Sequence, residues 1–239
     1  MDLPSGVREQ DLRQWLEVTA GTGKHMLGHG YQAPAYLYDR CDPPLVVKTC
    51  RGSGLSRRLR RMMLVREWRA YERLEDVPGV PRGFGLLDGE HLVIEYIRGV
   101  PFRQARIEDR ERFFERLLAL IEALHARGVA HCDLKKKENV IVLERERPCF
   151  IDFGASICLK PGFAPVNRQL FRIGQILDQN ACLKLYYGKP LSQLTHEQLA
   201  RFQRTRLEKV TRWVRYRRVK FRKLVERLNE GLARGKERH

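Results

Sequence analysis

No stretch of this sequence approaches the roughly 20 consecutive apolar residues that a bilayer-spanning helix requires, so a membrane-embedded chain is not expected. The opening residues, MDLPSGVREQDLRQW, lack the basic-then-apolar order of a secretory signal, and a cytoplasmic location is the expectation. Cysteine pairing is missing too. Cys41, Cys50, Cys132, Cys149, Cys158 and Cys182 are scattered, with no CxxC pair and no metal-ligand spacing. That leaves reduced thiols rather than a disulfide framework or a zinc module. Acidic residues are few: 29 Asp and Glu face 46 Lys and Arg, a net charge of +17. A field of that sign favours an anionic partner, whether a phosphorylated substrate, an acidic membrane face or nucleic acid. A Walker-type phosphate loop is also lacking. Before Gly23-Lys24 the place of the first glycine is held by Val18, and His25 stands where Ser or Thr would hold Mg²⁺.

What is there is a globular composition, 239 residues with 43% hydrophobic and 31% charged side chains, enough to bury a core. Leu12, Trp15, Leu16 and Val18 at helical spacing predict a short leading helix. Leu27 to Leu37 reads as strand–turn–strand, with Gly28 and Gly30 leaving backbone N–H groups open to phosphate oxygens. Pro44 to Thr49 reads as a buried strand carrying Lys48. A helix pattern follows on Leu59, Met62, Met63, Val65, Glu67, Ala70, Tyr71 and Leu74, with an arginine-rich face read mostly as solvated. Pro78 and Pro81 end it. Phe84 to Leu87, the Asp88-Gly89 turn and His91 to Tyr96 predict a β-hairpin. A strongly apolar helix is predicted from about Glu108 to His125, with Glu108, Asp109 and Glu111 in its first turn, where the helix dipole favours them.

The stretch from Leu124 to Gly154 places Asp133, Asn139 and Asp152 at the joints between a helix end, a polar loop and two short strands. Carboxylate and carboxamide oxygens gathered there suit a hard cation such as Mg²⁺. His131-Cys132-Asp133-Leu134, then Asn139-Val140-Ile141-Val142, then Asp152-Phe153-Gly154, with Lys48 and Glu67 19 positions apart upstream, resembles the protein-kinase-like superfamily. The resemblance spans Leu27 to Gly154, about half of the chain. It implies an α+β, two-lobed fold: a small antiparallel β N-lobe over 1–97 and a mostly helical, shortened C-lobe over 98–239.

The resemblance also implies ATP and Mg²⁺ as cofactors. Lys48, paired with Glu67, would hold the α- and β-phosphates under Gly28, Gly30 and Ala33, the last in the place of a third glycine. The backbone of Glu95 to Ile97 would meet adenine, with Ile94 behind it. Asp133 would receive or orient the acceptor hydroxyl, His131 would prop the loop, and Lys135 would balance charge on the transferred phosphoryl. Asn139 and Asp152 would be the metal ligands. There are two departures from the pattern. Cys132 replaces the arginine that reads activation-loop phosphate, so that mode of regulation is not expected. Asn139 falls six residues after Asp133 rather than five, which places one extra residue within Lys135–Lys137 and leaves Glu138 as an alternative ligand.

After Gly154 only 85 residues remain, without an APE-like sequence. A helix is predicted on Leu170, Phe171, Ile173, Ile176, Leu177, Leu183 and Leu185. Its Asp178 either ties down the catalytic loop or lies at the surface. Residues 201–239 carry 15 Lys or Arg against 4 Glu, with apolar residues at helical spacing. They read as a basic amphipathic helix, either packed with a solvated face or docked on an anionic membrane or acidic substrate. A kinase fold so curtailed resembles small bacterial lipopolysaccharide-core sugar kinases and RIO-like atypical kinases. That implies transfer of the γ-phosphate of ATP to an anionic envelope sugar or glycolipid at the inner face of the cell membrane. A protein Ser/Thr acceptor is the runner-up and a nucleotide-binding pseudokinase adaptor the third reading. Nucleic acid is not an expected partner, because no recognised binding motif accompanies the charge.

Overall fold

The computed structural model describes residues 1–22, 25–29, 34–50 and 54–188. The described residues belong to one compact unit. The helix expected over 201–239 lies outside the described residues. Within them the fold mixes an antiparallel sheet with four α-helices, as an α+β chain should. No described helix is long and apolar enough to cross a membrane.

Strands β1 (Met26–His29), β2 (Pro34–Tyr38), β3 (Leu45–Thr49), β4 (Gly83–Leu87) and β5 (His91–Glu95) form one antiparallel sheet in the order β1-β2-β3-β5-β4. Alternation along β3 sorts its side chains: Leu45 and Val47 face one core, while Val46 and Lys48 face a cleft on the other side. Helix α1 (Glu9–Thr22) covers the first face, packing Leu12, Trp15 and Leu16 on Tyr36, Tyr38, Leu45 and Val93. Val18, expected beside them, is exposed, because α1 turns only its 12/15/16 stripe to the sheet. The β4–β5 hairpin turns at Asp88 and Gly89, both with positive φ (54° and 67°), and Glu90 N closes the turn on Leu87 O at 3.1 Å. The Asp88 carboxylate accepts two hydrogen bonds from Arg13 Nε and Nη2 of α1, which ties that helix to the hairpin.

Helix α2 (Gly54–Arg73) covers the other face through Leu64, Glu67, Ala70 and Tyr71, with Leu74 just past its end. Leu59, Met62 and Met63 do not join that core. The inward stripe runs back from Glu67 through Leu64 and Met63 to Arg60, which line the cleft, so positions 59 and 62 fall outside it.

Beyond β5 come β6 (Val100–Pro101), α3 (Arg110–Ala126), β7 (Val129–Ala130), β8 (Val140–Leu143), β9 (Arg147–Phe150), β10 (Ile157–Cys158) and α4 (Pro165–Tyr187). Strands pair as β6-β8-β9 and β7-β10. Asp109 caps α3, its side chain accepting from Arg112 N at 3.0 Å. Phe113, Phe114, Leu117, Leu120, Ile121 and Leu124 repeat every three or four residues and are buried. They share one core with Leu64 and Tyr71 of α2, Leu74 after it, Val140 and Phe150 of β8 and β9, and Ala181, Cys182 and Leu185 of α4. The expected boundary at 97/98 falls in the connection from β5 to β6. All six cysteines are free thiols.

Candidate active site

Three charged groups from distant parts of the chain meet at the inner edge of the sheet. Lys48 Nζ on β3 lies 2.6 Å from Glu67 Oε1 on α2 and 2.9 Å from Asp152 Oδ1, just past β9. Burial opposes the lysine charge, but Glu67, with Tyr71 and Asp152, outweighs it and holds the ammonium above the ordinary lysine range. Burial likewise raises the Asp152 carboxyl, yet the Lys48 charge and hydrogen bond win and keep it below the usual range. Both groups are therefore ionised at neutral pH, and the lysine is fixed rather than free to snorkel. Phe153 anchors the far side, fully buried between Tyr71 (ring centroids 5.1 Å apart) and His131 (4.7 Å).

The loop from β7 to β8 is held by side chain-to-backbone hydrogen bonds. Asp178, buried on α4, accepts from His131 N and Cys132 N, each at 2.7 Å, and contacts His125 Nε2 at 3.1 Å. This settles the alternatives for that residue: it ties the loop down. His131 Nε2 donates to Ile151 O at 3.0 Å, so Nδ1 is the acceptor that faces Asp133 N at 3.4 Å. Two non-glycine residues here take left-handed backbone, Cys132 (φ 67°) and Asp152 (φ 64°), and such strain persists where the surroundings over-determine it. Burial, helped by Asp178, pushes the Cys132 thiol up to about 12, which leaves it a packing group rather than a nucleophile.

The lysine-rich insertion is absorbed by two tight turns, Lys136 N to Asp133 O and Asn139 N to Lys136 O. Asn139 is thereby brought back so that its Nδ2 donates to Asp133 O at 3.1 Å, and its Oδ1 remains for a ligand. Glu138 is exposed at the mouth of the cleft, 3.6 Å from Arg103. The turns also change which lysine meets the aspartate. Lys135 is exposed and does not line the cleft, whereas Lys136 Nζ sits 2.6 Å from Asp133 Oδ2. The extra residue shifts the phase of the loop by one position, and an i, i+3 pairing to Asp133 was the signal that pointed to Lys136.

Between these elements lies a cleft of about 610 Å³. Leu27, Ala35, Val46, Ile94, Ile141 and Ile151 give it apolar walls; Lys48, Glu67, Lys136, Glu138, Asn139 and Asp152 give it a charged end. An apolar slot with a few convergent polar groups fits a nucleotide. At its edge Glu95 N and Tyr96 N already donate to Arg82 O and Pro44 O, and Ile97 N–H has no hydrogen bond among the described residues. Asp152 and Asn139 offer one carboxylate and one carboxamide oxygen. No cluster of three or more His, Cys, Asp or Glu ligands occurs among the described residues. That donor set fits Mg²⁺, which keeps waters and phosphate oxygens in its shell and needs only one or two protein ligands. Gly28 sits in β1 opposite Ala35; Gly30 and Ala33 lie outside the described residues.

Two arginines on the α2 face read as solvated are in fact structural. Arg66 donates to Ser156 O at 2.6 Å and 3.0 Å, and Arg73 to Leu159 O at 2.7 Å. They hold the segment that leaves Asp152. Their backbone acceptors carry no side-chain signature, so sequence pattern alone had nothing to match.

No family model matches the chain. A 96-residue segment is 32% identical to the serine/threonine-protein kinase ppk34 of Schizosaccharomyces pombe (strain 972 / ATCC 24843), covering 39% of this chain. The chain spans about a quarter (26%) of that protein's length. This partial likeness, beside the cleft and its charged end, supports a kinase-like relationship and no finer one.

Proposed function

We propose that the chain is an ATP-dependent phosphotransferase with a two-lobed kinase-like architecture. The sheet with α1 and α2 is the N-lobe, and the part from residue 98 on is the C-lobe. The observation that carries this reading is Lys48, bridging Glu67 and Asp152 at the charged end of an apolar cleft, beside a separately held Asp133. In-line phosphoryl transfer needs positioning and cations around the phosphate, not a covalent protein intermediate. Lys48, fixed by Glu67, binds the α- and β-phosphates. The Ile97 N–H and the Glu95 carbonyl receive adenine, with Ile94 behind. Contact with the phosphates through backbone N–H groups is the role assigned to Gly28, Gly30 and Ala33. Asp133 orients the acceptor hydroxyl and takes its proton at a carboxylate oxygen. Lys136, rather than Lys135, stands where it can balance charge on the transferred group. Mg²⁺, when bound, neutralises phosphate charge. Asp152 Oδ and Asn139 Oδ1 are the atoms that would hold it.

If Asn139 is the ligand, Asn139→Ala should raise the Mg²⁺ concentration for half-maximal rate about ten- to a hundredfold. Glu138→Ala should leave it nearly unchanged. A larger effect from Glu138 would reverse the assignment.

The acceptor we favour is a hydroxyl of an anionic envelope sugar or glycolipid, reached from the inner face of the cell membrane. The exposed Lys135 and Lys137 beside Asp133, and a net charge of +17, favour an acceptor that is itself anionic. The likeness to ppk34 favours a second reading, a protein Ser/Thr acceptor. Labelled γ-phosphate supplied to an extract with the purified chain separates them. Label in the lipid or sugar fraction is expected; label confined to protein sinks the glycolipid assignment, and no transfer to anything sinks the kinase reading.

A further inference from the structure

The arginine-rich face of α2 divides by destination. Arg57 pairs with Glu90, and Arg61 Nε donates to Gly89 O at 3.1 Å, both at the β4–β5 turn. Arg66 and Arg73 reach Ser156 and Leu159. Arg60 takes a third direction and lines the nucleotide cleft. Helix phase gives the reason. Arg60 lies seven positions before Glu67, two turns back on the same stripe, with Met63 and Leu64 between them on the cleft wall. It is half-buried, while Arg57, Arg58 and Arg61 around it are exposed.

The cleft also has an order along its length. β3 pairs Leu45 with Glu95 and Lys48 with Leu92, so the strand runs from the end assigned to adenine toward the charged end. It continues past Lys48 to Cys50, whose Sγ donates to Arg57 O at 3.2 Å. The early turns of α2 therefore stand beyond Lys48, and the helix returns to Lys48 only at Glu67. About 10 Å of helix separates Arg60 from Glu67, a gap that the long arginine side chain partly spans. Burial and Glu90 raise the Cys50 thiol while Arg57, Arg60 and Arg61 oppose them, which puts Arg60 within electrostatic reach of the same strand end. Adenine edge, Lys48 and Arg60 thus follow one another as base, inner phosphates and terminal phosphate do in a nucleotide. Lys48 is shared between Glu67 and Asp152, and Lys136 meets Asp133, so carboxylates already offset both of those cations. A guanidinium adds charge at the far end, and its planar fork matches two phosphate oxygens.

We propose that Arg60 binds the terminal phosphate of the nucleotide, so that the cleft distinguishes a nucleoside triphosphate from the diphosphate. The inference rests on the phosphotransferase reading above and deepens it, by naming the residue that favours ATP over the ADP left after transfer.

The test is calorimetric titration of the full chain with AMP-PNP, a triphosphate analogue that resists transfer, and with ADP, both in Mg²⁺. Arg60→Gln should weaken AMP-PNP about ten- to a hundredfold and ADP by less than about threefold. Arg60→Lys keeps the charge without the fork and should fall between the parent and Arg60→Gln. If Arg60→Gln melts early, Arg60→Lys carries the comparison. Equal losses for AMP-PNP and ADP would move Arg60 to the inner phosphates and overturn the assignment. No loss for either nucleotide in both variants would overturn it too, and would turn attention to the acceptor. A parent that binds neither nucleotide fails the phosphotransferase reading and takes this inference with it. A parent that binds both, with variants that bind just as well, fails the inference alone.

Discussion

Asp133→Asn is expected to lower phosphate transfer about 10²- to 10⁴-fold, the usual loss when a positioned proton acceptor is removed. The substitution keeps the shape of the side chain and takes away only its charge and basicity. Asp133 does not line the nucleotide cleft, so ATP affinity should stay close to that of the parent. Its one ion pair, with Lys136 at 2.6 Å, joins an exposed lysine, so stability should move little. Initial rates with nucleotide binding measured on the same preparation check both halves. Full activity in the variant would refute the role assigned to Asp133. Binding without any transfer, in parent and variant alike, would favour a nucleotide-binding adaptor.

Asp178→Ala should act in the opposite order, through stability first. The carboxylate is buried and accepts two backbone N–H groups as well as facing His125. Its removal leaves His131 N and Cys132 N without acceptors, at a cost of about 1–3 kcal/mol each. A total near 3–5 kcal/mol follows, or a melting temperature lower by about 8–15 °C for a chain of this size. Asp178→Asn keeps one acceptor oxygen and should lose roughly half as much. Denaturant titration of the three proteins measures this directly. Equal midpoints would show that the loop is held by something other than Asp178. Transfer should also fall in Asp178→Ala, because the backbone it releases is the one that presents Asp133.

Patterns with a physical period were legible from the sequence. The i, i+3, i+4 repeat of Phe113 to Leu124 gave α3, the alternation of Leu45 to Lys48 gave β3, and the Asp88-Gly89 turn gave the β4–β5 hairpin. The meeting of Lys48, Glu67 and Asp152 was legible because charged side chains at strand ends and on an inward helix face are costly to bury unless they pair. What was not legible depends on local phase or on backbone. One inserted residue moved the lysine that meets Asp133 from 135 to 136. The apolar run at Leu59, Met62 and Met63 looked like core, but the direction in which Glu67 must point turns Leu59 and Met62 outward and sets Met63 on the cleft wall. The roles of Arg66 and Arg73 were hidden because both bind carbonyl oxygens, which every residue possesses.

That last property has a consequence for how the chain can change. Arg66 and Arg73 grip Ser156 and Leu159 through main-chain oxygens alone, so that grip is indifferent to the side chains at these two positions. Packing sets the limit instead: Ser156 is fully buried and Cys158 lies against the core, so only exchanges of similar size fit there. Within that limit the strand can drift in sequence while the Lys48–Glu67–Asp152 arrangement a few residues away keeps its frame.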